Sequence, residues 1–128
     1  MPLPAACLLG CALAGVPSFA PPVDIAFPNR QFPTQPALGD LDEDGKPDLL
    51  VPGRNADGLV HVLRGTGTGF ALGRSYAVGC QTDWAAAADL DGDGHLDIAL
   101  AARQTPGGVV LLRGRGDGTF DDPVRLTL

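Results

Sequence analysis

The chain has 128 residues, with 45% hydrophobic content, 18 glycines, 12 prolines and a formal net charge of −6. That apolar content excludes a disordered acidic tail. Nine Lys and Arg, none of them clustered, exclude an electrostatic footprint for nucleic acid. The length suits one modest domain, and Gly and Pro scattered as punctuation predict many short strands joined by tight turns.

Residues 1–18 are apolar, rich in small residues and uncharged. They read as an apolar leader of the secretory kind, with Ala12-Leu13-Ala14 as a cleavage triplet. Leu8-Leu9-Gly10-Cys11 also reads as a lipobox that would lipidate Cys11. No Lys or Arg precedes the apolar run, so a mis-called start, with this stretch the degraded end of a preceding repeat, stays open as well. The stretch is too short and too interrupted by Pro and Gly to span a membrane. Of the three cysteines, Cys7, Cys11 and Cys80, none forms a Cys-x-x-Cys pair, which argues against a disulfide framework and for Cys80 as a buried thiol.

Residues 19–35 form a leading edge strand and linker in this reading. Phe19 to Phe27 resembles Phe70 to Val78 and Phe120 to Leu128: each opens on Phe and passes a Pro or Gly into an alternating stretch. Two repeats come next, over residues 36–78 and 79–128. Gln35 to Gly39 and Trp84 to Ala88 are small-residue segments, read as short strands because Pro36 and Gly39 oppose helix in the first copy and the segment is too short to nucleate one. Small side chains there suit the innermost strand of a tapering architecture.

Each segment runs into an acidic nonapeptide. Asp40, Asp42, Asp44 and Asp48 stand at positions 1, 3, 5 and 9 of the first, and Asp89, Asp91, Asp93 and Asp97 at the same positions of the second, 49 residues later. Four carboxylates this close repel one another, and a hard divalent cation reverses that. Calcium takes six to eight oxygens, and alternate residues of a tight loop can aim theirs at one centre. Lys46 and His95, at position 7, would add a backbone carbonyl, and Gly94, at position 6, would permit the sharp turn at positive φ. Two calcium ions are thus expected, which would bring the net charge from −6 to −2. Position 12 is Val51 or Leu100 rather than the bidentate Glu of an EF-hand, and each loop leads into an apolar run of strand length ended by Pro52-Gly53 or by the turn at Thr105 to Gly108. Third strands are read at Leu59 to Leu63 and Gly108 to Leu112, then glycine-rich hairpin turns, then the strands that open on Phe70 and Phe120. Arg54/Arg103, Val60/Val109, Leu63/Leu112, Arg64/Arg113 and Gly65/Gly114 match at the same offset of 49, and the second copy gains one residue in its final turn.

Four antiparallel strands in about 50 residues describe a propeller blade. The string Asp-Leu-Asp-Gly-Asp-Gly-x-x-Asp, an apolar strand, and then Gly-Asp-Gly-Thr-Phe resembles the FG-GAP/VCBS-type repeat over residues 19–128, in its bacterial style, since the Phe-Gly and Gly-Ala-Pro elements of the family name are not recognisable. The family includes integrin α-subunit propellers and many secreted bacterial repeat proteins. The resemblance implies an all-β fold of two four-stranded blades, a partial propeller with calcium in the Asp loops between first and second strands. It also implies a secreted or cell-surface setting and a binding or scaffolding role. Two blades leave apolar faces and edges open, to be met by further blades of a longer chain or by a homo-oligomer.

Enzyme chemistry is not expected. Ser18 and Ser75 lie in no Gly-x-Ser-x-Gly elbow, His61 and His95 do not match across the repeat, and the Gly-rich turns lack the Gly-Lys-Ser/Thr of a phosphate loop. Arg115-Gly116-Asp117 belongs to the repeat's own turn. The reading is a calcium-binding interaction or adhesion scaffold with a protein or glycan ligand. The alternatives are a lectin-like propeller using Trp84 or Tyr76 as its aromatic platform, and the non-catalytic propeller part of a larger secreted enzyme.

Overall fold

A computed structural model describes residues 21–22, 24–26, 33–54, 56–104 and 106–127. Among them lie eight strands and no helix: β1 (Ala37–Gly39), β2 (Asp48–Val51), β3 (Leu59–Gly65), β4 (Phe70–Ala77), β5 (Thr82–Ala88), β6 (Asp97–Ala102), β7 (Gly108–Leu112) and β8 (Val124–Thr127). They form two four-stranded sheets in the orders β1-β2-β3-β4 and β5-β6-β7-β8, every neighbouring pair antiparallel. The alanines of β5 are strand, as Pro36 in the parallel copy argued. Residues 1–20, 23 and 27–32, with the leader, the lipobox and part of the leading strand, fall outside the described residues; residues 21–22 and 24–26 carry no strand.

The two sheets repeat one ladder. Val60 pairs with Tyr76 in the first and Val109 with Leu126 in the second, which makes Tyr76 and Leu126 equivalent across the one-residue insertion. The last strand is shorter than its pattern. Pro123 donates no N–H, and Phe120 makes one isolated bridge to Gly114 before the ladder resumes at Val124.

Opposite faces of the two sheets meet. Leu50, Val60 and Val62, with Ala37 and Tyr76 beside them, pack from the first sheet against Ile98, Leu100, Val110 and Leu112 from the second. Alternation along each strand puts Leu50 and Val62, a cross-strand pair, on one face, and Ile98 and Leu112, another such pair, on the other sheet's facing side. Each such aliphatic side chain taken from water contributes about 1.5–3 kcal/mol. β1 and β5 lie side by side at the seam, where a Cβ on Gly39 would stand 3.2 Å from the Ala87 Cβ and 3.1 Å from Leu96. The expected crowding of inner strands is what makes small residues necessary there.

Polar links stitch the same seam. Gln35 N–H donates to the Asp83 carbonyl at 3.2 Å and Thr82 N–H to the Gly53 carbonyl at 3.3 Å. Arg54 Nε pairs with Asp83 Oδ1 at 2.6 Å. Tyr76 and Phe120 meet edge to face, centroids 5.4 Å apart, and the Tyr76 hydroxyl accepts the Phe120 N–H at 3.2 Å. Tyr76 is half-buried in that contact, whereas Trp84 stands 60% exposed. Cys80 is a buried free thiol.

Candidate metal centres

Each acidic nonapeptide wraps its carboxylates around its own backbone. Asp40 accepts the N–H groups of Asp44 and Gly45 at 3.1 and 2.9 Å; Asp89 accepts those of Gly92 and Gly94 at 2.7 and 2.9 Å. Asp44 accepts from Lys46 N–H and Asp93 from His95 N–H, both at 2.9 Å. The turn needs left-handed backbone at position 6, where Gly45 and Gly94 have φ of 82° and 92°. Position 4 is left-handed too. Gly92 (φ 80°) occupies it in the second loop, whereas in the first it falls to Glu43 (φ 58°), a conformation that costs a side-chain-bearing residue energy.

Position 9 has a different job. Asp48 and Asp97 are buried, and each carboxylate spans the loop. Asp48 takes the N–H of Leu41 at 2.8 Å on one oxygen and that of Gly65 at 2.7 Å on the other; Asp97 does the same with Leu90 and Gly114, both at 2.8 Å. One side chain thereby ties the start of the loop to the end of the third strand. Gly65 and Gly114 are required at that end, because a Cβ would run into the carbonyl oxygens of Pro47 and Leu96.

The result is two carboxylate triads. In Asp40, Asp42 and Asp48, and again in Asp89, Asp91 and Asp97, one oxygen from each residue lies within 4.8 Å of the others. That spacing matches oxygens placed at about 2.4 Å around one hard cation, and an all-oxygen donor set suits calcium or magnesium rather than zinc or copper. Among the described residues these are the two places where three or more acidic, His or Cys side chains converge. Asp44 and Asp93 stand outside the triads, their outer oxygens turned to Arg64 Nη2 at 3.4 Å and Arg113 Nη2 at 3.1 Å. The Lys46 and His95 side chains stay out too. Lys46 Nζ lies 3.6 Å from Asp44, and His95 Nδ1 meets Glu43 Oε1 at 2.6 Å across the seam.

Electrostatics obey this geometry. Burial, reinforced by the charge of Asp48, raises the Asp42 pKa. The Lys46 and His95 backbone N–H groups hold Asp44 and Asp93 below the usual carboxylate value. The hydrogen bond that His95 donates to the Glu43 carboxylate raises the His95 pKa. Of these contacts, the Glu43–His95 link and the two arginines escaped the sequence reading. The arginines left a trace in the Arg-Gly that closes the third strand in both copies; Glu43 and His95 left none, because neither matches its counterpart.

An FG-GAP repeat model matches residues 32–63, and an FG-GAP-like repeat model matches residues 89–128. Each match holds one acidic nonapeptide, and together they cover more than half of the sequence. The chain is an FG-GAP-type repeat protein. No curated protein and no solved structure matches it. FG-GAP repeats imply propeller blades, and the two sheets of this FG-GAP-type protein have the blade arrangement of a four-stranded antiparallel meander. No helix among its described residues is long and apolar enough to cross a membrane. Its Arg-Gly-Asp tripeptide is occupied locally: Arg115 Nε pairs with Asp121 at 2.7 Å, and Asp117 accepts the Thr119 N–H at 2.9 Å.

Proposed function

We propose that this FG-GAP-type chain is a calcium-binding propeller module serving as an extracellular protein-interaction or adhesion scaffold. The observation that supports it is the pair of identical carboxylate triads, each with oxygens from positions 1, 3 and 9 within 4.8 Å. Asp40, Asp42 and Asp48 would hold one ion and Asp89, Asp91 and Asp97 the other. Asp44 and Asp93, and the position-7 carbonyls of Lys46 and His95, are the further oxygens that calcium's higher coordination number can recruit. The ion supplies positive charge that offsets the mutual repulsion of the loop and pins the first strand of each blade to the second. The all-β frame then presents loops and edges to a ligand, and sites of this kind in extracellular modules work at calcium concentrations of about 10⁻⁴ to 10⁻³ M.

Thermal melting of the full chain in excess calcium and in excess EGTA tests the reading. A ligand bound only by the folded state stabilises by about 2.7 kcal/mol at a hundredfold excess over Kd, so calcium should raise Tm by several degrees. Magnesium should substitute poorly, since it demands a tighter octahedron and gives up water reluctantly. Equal melting temperatures in calcium and EGTA would refute the metal assignment.

A further inference from the structure

Arg64 and Arg113 stand sixteen residues beyond position 9 of their loops, outside the acidic motif, yet both reach back into it. Arg64 Nε lies 2.7 Å from Asp42 Oδ2 and its Nη2 3.4 Å from Asp44 Oδ2. Arg113 repeats the contact, Nε to Asp91 Oδ2 at 2.6 Å and Nη2 to Asp93 Oδ2 at 3.1 Å. Both side chains are well exposed, so packing does not put them there. The surroundings differ as well: Asp42 is half-buried and Asp91 exposed. A contact made identically in two settings belongs to the repeat.

We propose that Arg64 and Arg113 are built-in counter-cations that set the calcium affinity of the loops, an inference that rests on the calcium reading above. Without metal, a guanidinium forked between positions 3 and 5 relieves the repulsion of two neighbouring carboxylates and steadies the loop. With metal, the guanidinium and the ion compete for those same two carboxylates, and their like charges repel. The arginine therefore strengthens the metal-free loop and weakens binding, which keeps the site responsive where calcium is plentiful.

The two effects have opposite signs, and that separates this role from a merely structural one. An arginine that only positioned ligands would, when removed, lower the metal-free Tm and weaken calcium binding together. A counter-cation, when removed, lowers the metal-free Tm and tightens binding. The experiment is calorimetric titration of the full chain with CaCl₂, and melting in EGTA, for the wild type, Arg113→Gln, Arg64→Gln and Arg113→Lys. The expected result is a calcium Kd about three- to tenfold tighter at the affected loop in either Gln variant, with a lower Tm in EGTA. Arg113→Lys, which keeps the charge but not the fork, should hold its Kd near the wild-type value. Weaker or unchanged calcium binding in both Gln variants, beside a wild type that binds, overturns the arginine assignment alone. A wild type that neither binds calcium nor gains Tm from it overturns the calcium reading and this inference with it.

Discussion

Asp97 is chemically the same residue as Asp93 but does a different job, and the contrast is measurable. Asp97 is buried and satisfies two backbone N–H groups, whereas the Asp93 side chain lies near the surface beside Arg113. Asp97→Ala should cost about 2–4 kcal/mol even in EGTA, because it strands the buried Gly114 N–H, loosens the part-buried Leu90 N–H and removes two charge-assisted bonds. Asp93→Ala should cost under about 1 kcal/mol in EGTA and should show its effect only in the calcium response. Urea titrations under both conditions distinguish them. His61 supplies one part of the pH dependence. It is buried in β3 with Nδ1 2.6 Å from the Ser75 hydroxyl, and burial lowers its pKa below 6.5. The unfolded chain therefore takes up this proton near pH 6.5 and the folded chain only at lower pH, so the His61 contribution to stability falls as pH drops below about 6.5, whereas that of His95, whose pKa is raised, grows. His61→Val, which installs the residue found at the equivalent Val110, should flatten that acid limb between pH 6.5 and 5 when Tm is tracked against pH.

At the scale of elements, the join between loop and third strand is the tightest point of the repeat. Gly114 donates its N–H to Asp97 and leaves no room for a Cβ against the Leu96 carbonyl; Gly65 stands likewise against Pro47. Gly114→Ala should therefore cost about 3 kcal/mol, since the clash is with backbone that cannot rotate away. Equilibrium unfolding reads the cost, and a loss below about 1 kcal/mol would show that the loop yields. Most of this level was legible in the sequence. The 49-residue register located both loops and all eight strands, because turn chemistry and strand alternation are local. Position 6 was readable as left-handed for the same reason. The Arg64 and Arg113 contacts were not, since nothing local says that a residue sixteen positions away folds back on the loop. Nor was the Glu43–His95 link, which depends on two non-equivalent residues meeting across the seam.

At the scale of the molecule, equivalence in sequence parts company with equivalence in environment. Leu41 and Leu90 hold the same position of the two loops, yet Leu41 is 2% exposed and Leu90 52%. Phe120 is 6% exposed and its counterpart Phe70 37%. The repeat pattern could not reveal this, because it treats both faces of each sheet alike, whereas stacking buries one face of the first blade and the opposite face of the second. Leu41→Ala should cost about 2–4 kcal/mol and Leu90→Ala under about 1, measured side by side by denaturant midpoint. The same asymmetry reaches the loops. Gly118 N–H, in the glycine-rich turn of the second blade, donates to the Leu41 carbonyl at 3.0 Å, and that turn helps line the hollow of 250 Å³ beside Asp42 and Asp48. The matching hollow beside Asp91 and Asp97 is 380 Å³, and the described residues that line it all belong to the second blade. On the calcium reading an ion in the first loop would linger under a roof lent by the neighbouring blade, and an ion in the second would need a further blade to lend it the same roof.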